Sequence, residues 1–193
     1  MVVYNVKLKN GSEIQIAPLN GSINVKQIAN FINSLVEERS FISRDKKITH
    51  HEQRSELKVH KKKIEEGLME YLIALHGKNI IGQAMAERLQ HRVRGNAFIR
   101  LYIAESYRQL GLGKILMYLV LNGLKRKKVV NAYIEVAEKN IPAIKFYKKL
   151  GFKKVALLPN WMEFDGNYIN AIGMIMELKN HVEKAYGPYE NIL

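Results

Sequence analysis

The chain has no cysteine, so disulfides and thiolate chemistry are excluded. It is also short of acid: 18 aspartates and glutamates face 31 lysines and arginines, a formal net charge of +13. No apolar run approaches the ~20 residues of a membrane-spanning helix, and the start of the chain lacks the charged-then-apolar pattern of a secretion signal. Internal repeats, low-complexity tracts and linkers are missing too. What is present is an apolar content of 47% spread along the 193 residues. That content does not describe a disordered chain and is enough for one domain with a substantial core. One domain over residues 1–180 with a polar tail at 181–193 is therefore expected, in a soluble, cytoplasmic protein.

An excess of positive charge attracts polyanions, whether nucleic acid, an acidic membrane or a phosphorylated cofactor. It gathers most visibly at residues 61–63 and 125–128. Both runs fall near expected helix C-termini, where cations offset the helix dipole. No Arg/Gly/aromatic motif of a nucleic-acid binder accompanies them. They read as solvated lysine faces, so neither nucleic acid nor a membrane is the expected partner.

Periodicity and turn chemistry divide the rest. A hairpin spans residues 3–17 around Asn10-Gly11. A helix follows over 24–38, with Ile28, Phe31, Ile32 and Leu35 on one face. Thr49 and Glu52 make a capping box that opens a second helix running to about Glu66. Strands at 70–76 and 80–89 meet at Gly77-Lys78-Asn79, and another strand ends near Ile103. A helix, a strand at 129–136 and a helix from Asn140 come next; strands at 152–164 and 167–178 then meet at Asp165-Gly166. His50, His51 and His60 fall on the second helix with no carboxylate pair at ligand spacing. They read as polar helix surface, and no metal is expected.

The segment Tyr107-Arg108-Gln109-Leu110-Gly111-Leu112-Gly113-Lys114-Ile115 carries the most chemistry. It joins an apolar strand to an apolar helix, so free backbone N–H groups and the helix dipole converge on one point, which suits phosphate. Gly111 and Gly113 admit close approach to the main chain, and Arg108 and Lys114 flank it. The spacing fits neither a P-loop nor a dinucleotide fingerprint, whose third glycine position, 116, is Leu here. An ordinary strand–turn–helix connection has the same look. In the segment from Asn140 to Phe152, Asn140 suits an N-cap, Pro142 a first turn and Gly151 a helix end. Ala143, Phe146, Tyr147 and Leu150 share its apolar face, where Tyr147 is either a core aromatic with a wet edge or a working residue.

Taken in order, Arg108-x-x-Gly111-x-Gly113 and Asn140-x-x-Ala143-x-x-x-Tyr147-x-x-x-Gly151-Phe152 resemble the two signatures of the GNAT family of N-acetyltransferases. The resemblance covers about residues 12–178. It implies an α/β (α+β) fold, a mixed and mostly antiparallel central sheet flanked by helices, with an added N-terminal hairpin of little bearing on the chemistry. It implies acetyl-CoA as cofactor and direct acetyl transfer to a primary amine in a ternary complex. Arg108, Gln109, Leu110, Gly111, Leu112, Gly113 and Lys114 would hold the pyrophosphate. Leu101, Tyr102 and Ile103 would lie beside the pantetheine arm, whose amide Asn140 would bond. Tyr147 would point at the cofactor sulfur, counting among the cofactor-binding residues, and would be the general acid.

Glu135 is placed like the catalytic Glu of the family's ribosomal-protein N-terminal acetyltransferases and would be the base; the residues alone equally allow an exposed strand carboxylate. Glu87 is its understudy. Trp161 and Glu163 lie in a segment like the loop bordering the acceptor site and would touch the acceptor, although Trp161 reads first as a packing or dimer contact. Two departures stand out: Ala104-Glu105-Ser106 replaces a usual proline, and Gln109 takes a glycine-preferring position. Neither removes an N–H donor. The acceptor is an amine of a protein N-terminus, a polyamine, an amino acid or another small molecule, with Glu135 favouring peptide or protein amines. A homodimer through the terminal hairpin edge is expected. Two non-enzymatic readings remain beside this one, an acyl-CoA-binding sensor and a polyanion-binding protein using its lysine clusters.

Overall fold

The computed structural model describes residues 3–19 and 23–179; the tail expected at 181–193 lies outside the described residues. The Asn10-Gly11 turn joins β1 (Tyr4–Lys7) to β2 (Glu13–Pro18), with Gly11 at φ 86°. Both following helices open on reciprocal caps that satisfy N–H groups the helix itself cannot. Asn24 and Gln27 close the box of α1 (Val25–Glu37), and Thr49 and Glu52 close that of α2 (His50–Glu65). Strands β3 (Met69–His76), β4 (Asn79–Arg88) and β5 (Asn96–Ile103) form the middle of the sheet. Then come α3 (Leu112–Arg126), β6 (Asn131–Ala137) and α4 (Ile141–Leu150), which starts on Asn140 and stops at Gly151 with φ 102°. The hairpin of β7 (Lys153–Phe164) and β8 (Asn167–Glu177) closes the order.

The expected mixed, mostly antiparallel sheet forms. Its order is β1-β2-β3-β4-β5-β6-β8-β7, with β5 and β6 parallel and the other neighbours antiparallel. Helices α3 and α4 cover one face, where Leu116, Met117 and Leu121 are fully buried. Helices α1 and α2 cover the other, over Ile28, Leu35 and Ile73. His60 departs from the polar surface expected of it. Its ring packs edge-on to Tyr71 at 5.6 Å, and burial lowers its pKa.

Two features of this packing position the site. Helix α3 lies close on β4: a Cβ on Gly82 would come within 3.2 Å of Leu112, 3.3 Å of Leu116 and 3.3 Å of the Tyr102 carbonyl. Strands β5 and β6 pair only at Asn96–Asn131, Ala97–Ala132 and Phe98–Tyr133. Beyond that point β5 runs to Ile103 and β6 to Ala137 without pairing with each other. A wedge opens inside the sheet. Gly82→Val should cost about 1–3 kcal/mol, because α3 must lift from the sheet to admit the side chain. Urea unfolding checks it, and an unchanged midpoint contradicts the tight packing described.

Candidate active site

The connection from β5 to α3 turns on two left-handed residues, Gln109 at φ 62° and Gly111 at φ 97°. Gly111 is the N-cap of α3, and a Cβ added there would meet nothing within 4 Å. Its glycine is therefore required by backbone conformation, and the space outside it is open. Lys114 and Ile115 N–H bond the Gly111 carbonyl at 3.0 and 3.3 Å, whereas the N–H groups of residues 109–113 find no protein acceptor among the described residues. These donors sit at the positive end of a 15-residue helix, the arrangement of an anion cradle.

The cradle is braced from two sides. Lys9 N–H donates to the Leu110 carbonyl at 3.2 Å, and Leu8 is buried beside it. The N-terminal hairpin, expected to matter little for chemistry, thus holds the loop in place. Arg108 is turned away from the cradle: its guanidinium reaches Glu38 at 2.6 Å, Ser40 Oγ at 2.9 Å and the Ile103 carbonyl at 3.1 Å. Its main-chain N–H bonds Glu105. Arg108 here anchors the loop to the end of α1.

The wedge between β5 and β6 opens into a cleft of about 560 Å³. Tyr147 and Ala143 of α4 line it from one side of the sheet, with Asn140 at its edge. Asn140 Oδ1 accepts from Ala143 N–H at 3.3 Å, so what it can offer a ligand is its Nδ2 group. The Tyr147 ring is set by edge contacts to Phe146 and Phe152 at 5.1 and 5.7 Å. Burial, and then Tyr102, push its phenol well above the ordinary range, so it stays protonated at neutral pH.

Glu135 lines the cleft from the opposite face. One carboxylate oxygen accepts from Tyr133 Oη at 3.2 Å and the other from Trp161 Nε1 at 3.0 Å. Glycine at 173, across from Glu135 on β8, leaves room for this pairing, since a Cβ there would lie 2.7 Å from Tyr133 Oη. Trp161 is aimed by a bulge: Leu158 faces Ala171 and Met162 faces Ile169, so residues 159–161 stand opposite Asn170 alone. Pro159 has no N–H to donate, Asn160 takes φ 51°, and Asn160 N–H bonds Asn170 Oδ1 at 3.0 Å. A bulge of this kind redirects a side chain.

A pattern for the acetyltransferase (GNAT) family matches residues 33–152, which span the cradle, the wedge and α4. The chain belongs to that family. Over 83 residues it is 36% identical to the N-alpha-acetyltransferase of Sulfurisphaera tokodaii, a match covering 42% of this chain and 48% of that one. The chain spans about half the length of the curated relatives it matches. In fold it is similar to the ribosomal-protein-S5-alanine acetyltransferase from Vibrio fischeri, with TM-score 0.77 at 13% identity over 87% of this chain and 94% of the other. It is also similar to yncA from Salmonella typhimurium, whose structure was solved with its cofactor acetyl-CoA, with TM-score 0.74 at 17% identity over 87% and 95%.

The other GNAT site candidates separate in space. Leu101, Tyr102 and Glu163 line the cleft, while Ile103 packs into the core on the α3 side. Glu87 does not line it; Lys63 holds that carboxylate at 2.6 Å. Several lining residues were not singled out by the sequence. Phe98 and Arg100 alternate with Ile99 and Leu101 on β5, and the Arg100 guanidinium lies 4.7 Å from the Phe98 ring centre. A charged residue in an otherwise apolar strand was the available signal. Phe41 stacks on Phe164 at 4.6 Å, and Arg39 pairs with Asp165, so the α1–α2 loop and the β7–β8 hairpin meet over the cleft. No local pattern marks Phe41.

Gly173→Ala should displace the Tyr133 hydroxyl and loosen Glu135, destabilising the fold by about 1–3 kcal/mol. Trp161 is the sole tryptophan, so its emission reports the change directly. Wild-type emission and stability in the variant contradict the close approach.

Proposed function

We propose that this chain transfers an acetyl group from acetyl-CoA to a primary amine, with a protein N-terminus as acceptor. The observation that carries the reading is the unpaired wedge between β5 and β6, with the N–H cradle at its open end and Tyr147 and Glu135 along it. The residues fit an acyl-CoA. Open space outside Gly111 and unmatched amides at 109–113 suit a pyrophosphate, and two unpaired strand edges suit an arm that carries amides. When bound there, acetyl-CoA supplies the activated acyl carbon and a thiolate leaving group.

The chain's own residues have separable tasks. Glu135 takes the acceptor's ammonium proton through a water; its oxygens each retain acceptor capacity beyond the bonds from Tyr133 and Trp161. Tyr147 gives its phenolic proton to the leaving group, and its buried position keeps that proton in place. A β5 backbone N–H near Tyr102 or Ile103 donates to the carbonyl oxygen as it gains charge. Phe41 and Trp161 add apolar surface to the cleft lining and reduce competing water. The preference for an N-terminus is supported by the sequence likeness to N-alpha-acetyltransferases and by Asp45, Glu135 and Glu163 around the cleft, which favour a cationic amine.

Mass spectrometry of peptides incubated with the protein and acetyl-CoA tests the reading. A peptide with a free N-terminus should be acetylated, and an N-blocked peptide with one lysine should not. Acetylation confined to lysine moves the acceptor, and cofactor binding without any product favours a sensor. Tyr147→Phe and Glu135→Gln should each lower kcat about 10²-fold while cofactor affinity by calorimetry stays unchanged. Ionisation of Tyr147 removes the donor. Because its pKa is raised, the wild-type rate should show no loss from this group below about pH 10. A Tyr147-dependent limb near neutrality contradicts the assignment.

A further inference from the structure

Strands β5 and β6 both run toward the cradle and wedge; the positive charge collects at the other end of the sheet. Five stretches meet there: residues 61–70 across the end of α2 and the start of β3, 87–96 across the β4–β5 junction, 125–131 across the α3–β6 junction, 148–154 across the α4–β7 junction, and 177–179 at the end of β8. They hold fifteen of the 31 lysines and arginines but five of the 18 acidic residues, an excess of ten within a total of +13. Lys127 Nζ ties the stretches together, donating to the Gly67 carbonyl at 3.2 Å and pairing with Glu70 at 2.8 Å. Val130 N–H bonds Gly95 at 2.7 Å, and Leu178 N–H bonds Val130 at 2.8 Å. The runs 61–63 and 125–128, far apart in sequence, therefore approach one surface from opposite faces of the sheet. Lys61, Arg92, Arg94, Lys128, Lys149 and Lys153 are exposed on it.

Neither of the simpler explanations accounts for this charge. Three helices end here, and each C-terminus offsets about half a charge, far less than ten. A CoA phosphate group is served by the cradle, at the opposite end. We propose that this end of the sheet binds a nucleic-acid backbone through its phosphates, leaving the acetyl-transfer cleft free. From β3 to β7 the sheet order crosses six strands, a width of about 24 Å at ~4.8 Å per step. A duplex presents one negative charge per about 1.7 Å of its axis, so roughly a dozen phosphates span that width. An acidic membrane would also attract lysines, but membrane surfaces favour Trp and Tyr anchors. The exposed Trp161 and Tyr168 lie on the β7–β8 hairpin at the other end, and the exposed large apolar residues near the basic surface include Leu89, Val93 and Val130.

Fluorescence anisotropy with labelled RNA and DNA duplexes of about 20 base pairs tests the proposal. Binding is expected at low salt and should weaken about 10³-fold between 50 and 200 mM, as about six phosphate contacts require. Lys61→Glu/Lys128→Glu should reduce affinity about tenfold or more, whereas Lys26→Glu/Lys78→Glu, with the same change in net charge, should alter it less than about twofold. Saturating acetyl-CoA should leave duplex affinity unchanged. Binding to both duplexes marks recognition of charge alone, binding to RNA only marks A-form geometry, and either supports the surface. Equal losses in the two variants, competition by acetyl-CoA, or absence of duplex binding overturns it. Binding to phosphatidylserine vesicles but to neither duplex assigns the surface to a membrane instead. None of these outcomes depends on whether acetyl transfer occurs.

Discussion

The parting of β5 and β6 after three registered pairs is the constraint on which the rest of the site depends. Strand edges inside a sheet carry backbone donors and acceptors that must find partners. Here that hydrogen-bonding capacity is left facing a wedge, and a ligand bearing amides is the natural complement. The same wedge passes through the sheet. Tyr147 reaches it from the α4 side and Glu135 from the side of α1 and α2, so a phenol and a carboxylate share a cleft while standing on different layers. A fully paired β5–β6 ladder would separate them with backbone.

Everything around the wedge works to hold its edges. Gly82 lets α3 sit close on β4, which fixes the helix whose N-terminus is the cradle. Gly173 makes room for Tyr133, which with Trp161 holds Glu135. The α1–α2 loop bridges the two ends of this region: Glu38 accepts from Arg108 beside the β5–α3 loop, and Arg39 and Phe41 engage Asp165 and Phe164 beside the cleft. The Arg108–Glu38 pair is partly exposed, so its effect is geometric more than energetic, with about 0–1 kcal/mol expected of such a pair.

How much of this was legible in the sequence depended on range. The Asn10-Gly11 hairpin, the Thr49–Glu52 box, the left-handed Gly111 and the Asn140–Gly151 helix are all specified within a few neighbouring residues, and they form where their chemistry places them, whereas Gly113, expected to admit a ligand, packs instead against Ile103 and Phe146. What escaped is long-range. Arg108 flanks the cradle in sequence, yet its guanidinium is taken by a carboxylate seventy residues away. Glu87 had the right residue type but meets Lys63. His60 looked like helix surface because periodicity does not reveal Tyr71 beneath it. Trp161 lies within a run that looks like one continuous strand, although Pro159 carries the local signal of a bulge. The lysine runs looked like separate solvated faces until the fold brought them to one end.

The measurement that tests the central claim most directly is residue-resolved amide hydrogen exchange with and without acetyl-CoA. The account predicts added protection at the β5 edge beyond Phe98, at the β6 edge beyond Tyr133 and at the amides of residues 109–113, with little change at the basic end of the sheet. Protection that misses the wedge, or that falls on the lysine-rich end instead, would contradict it.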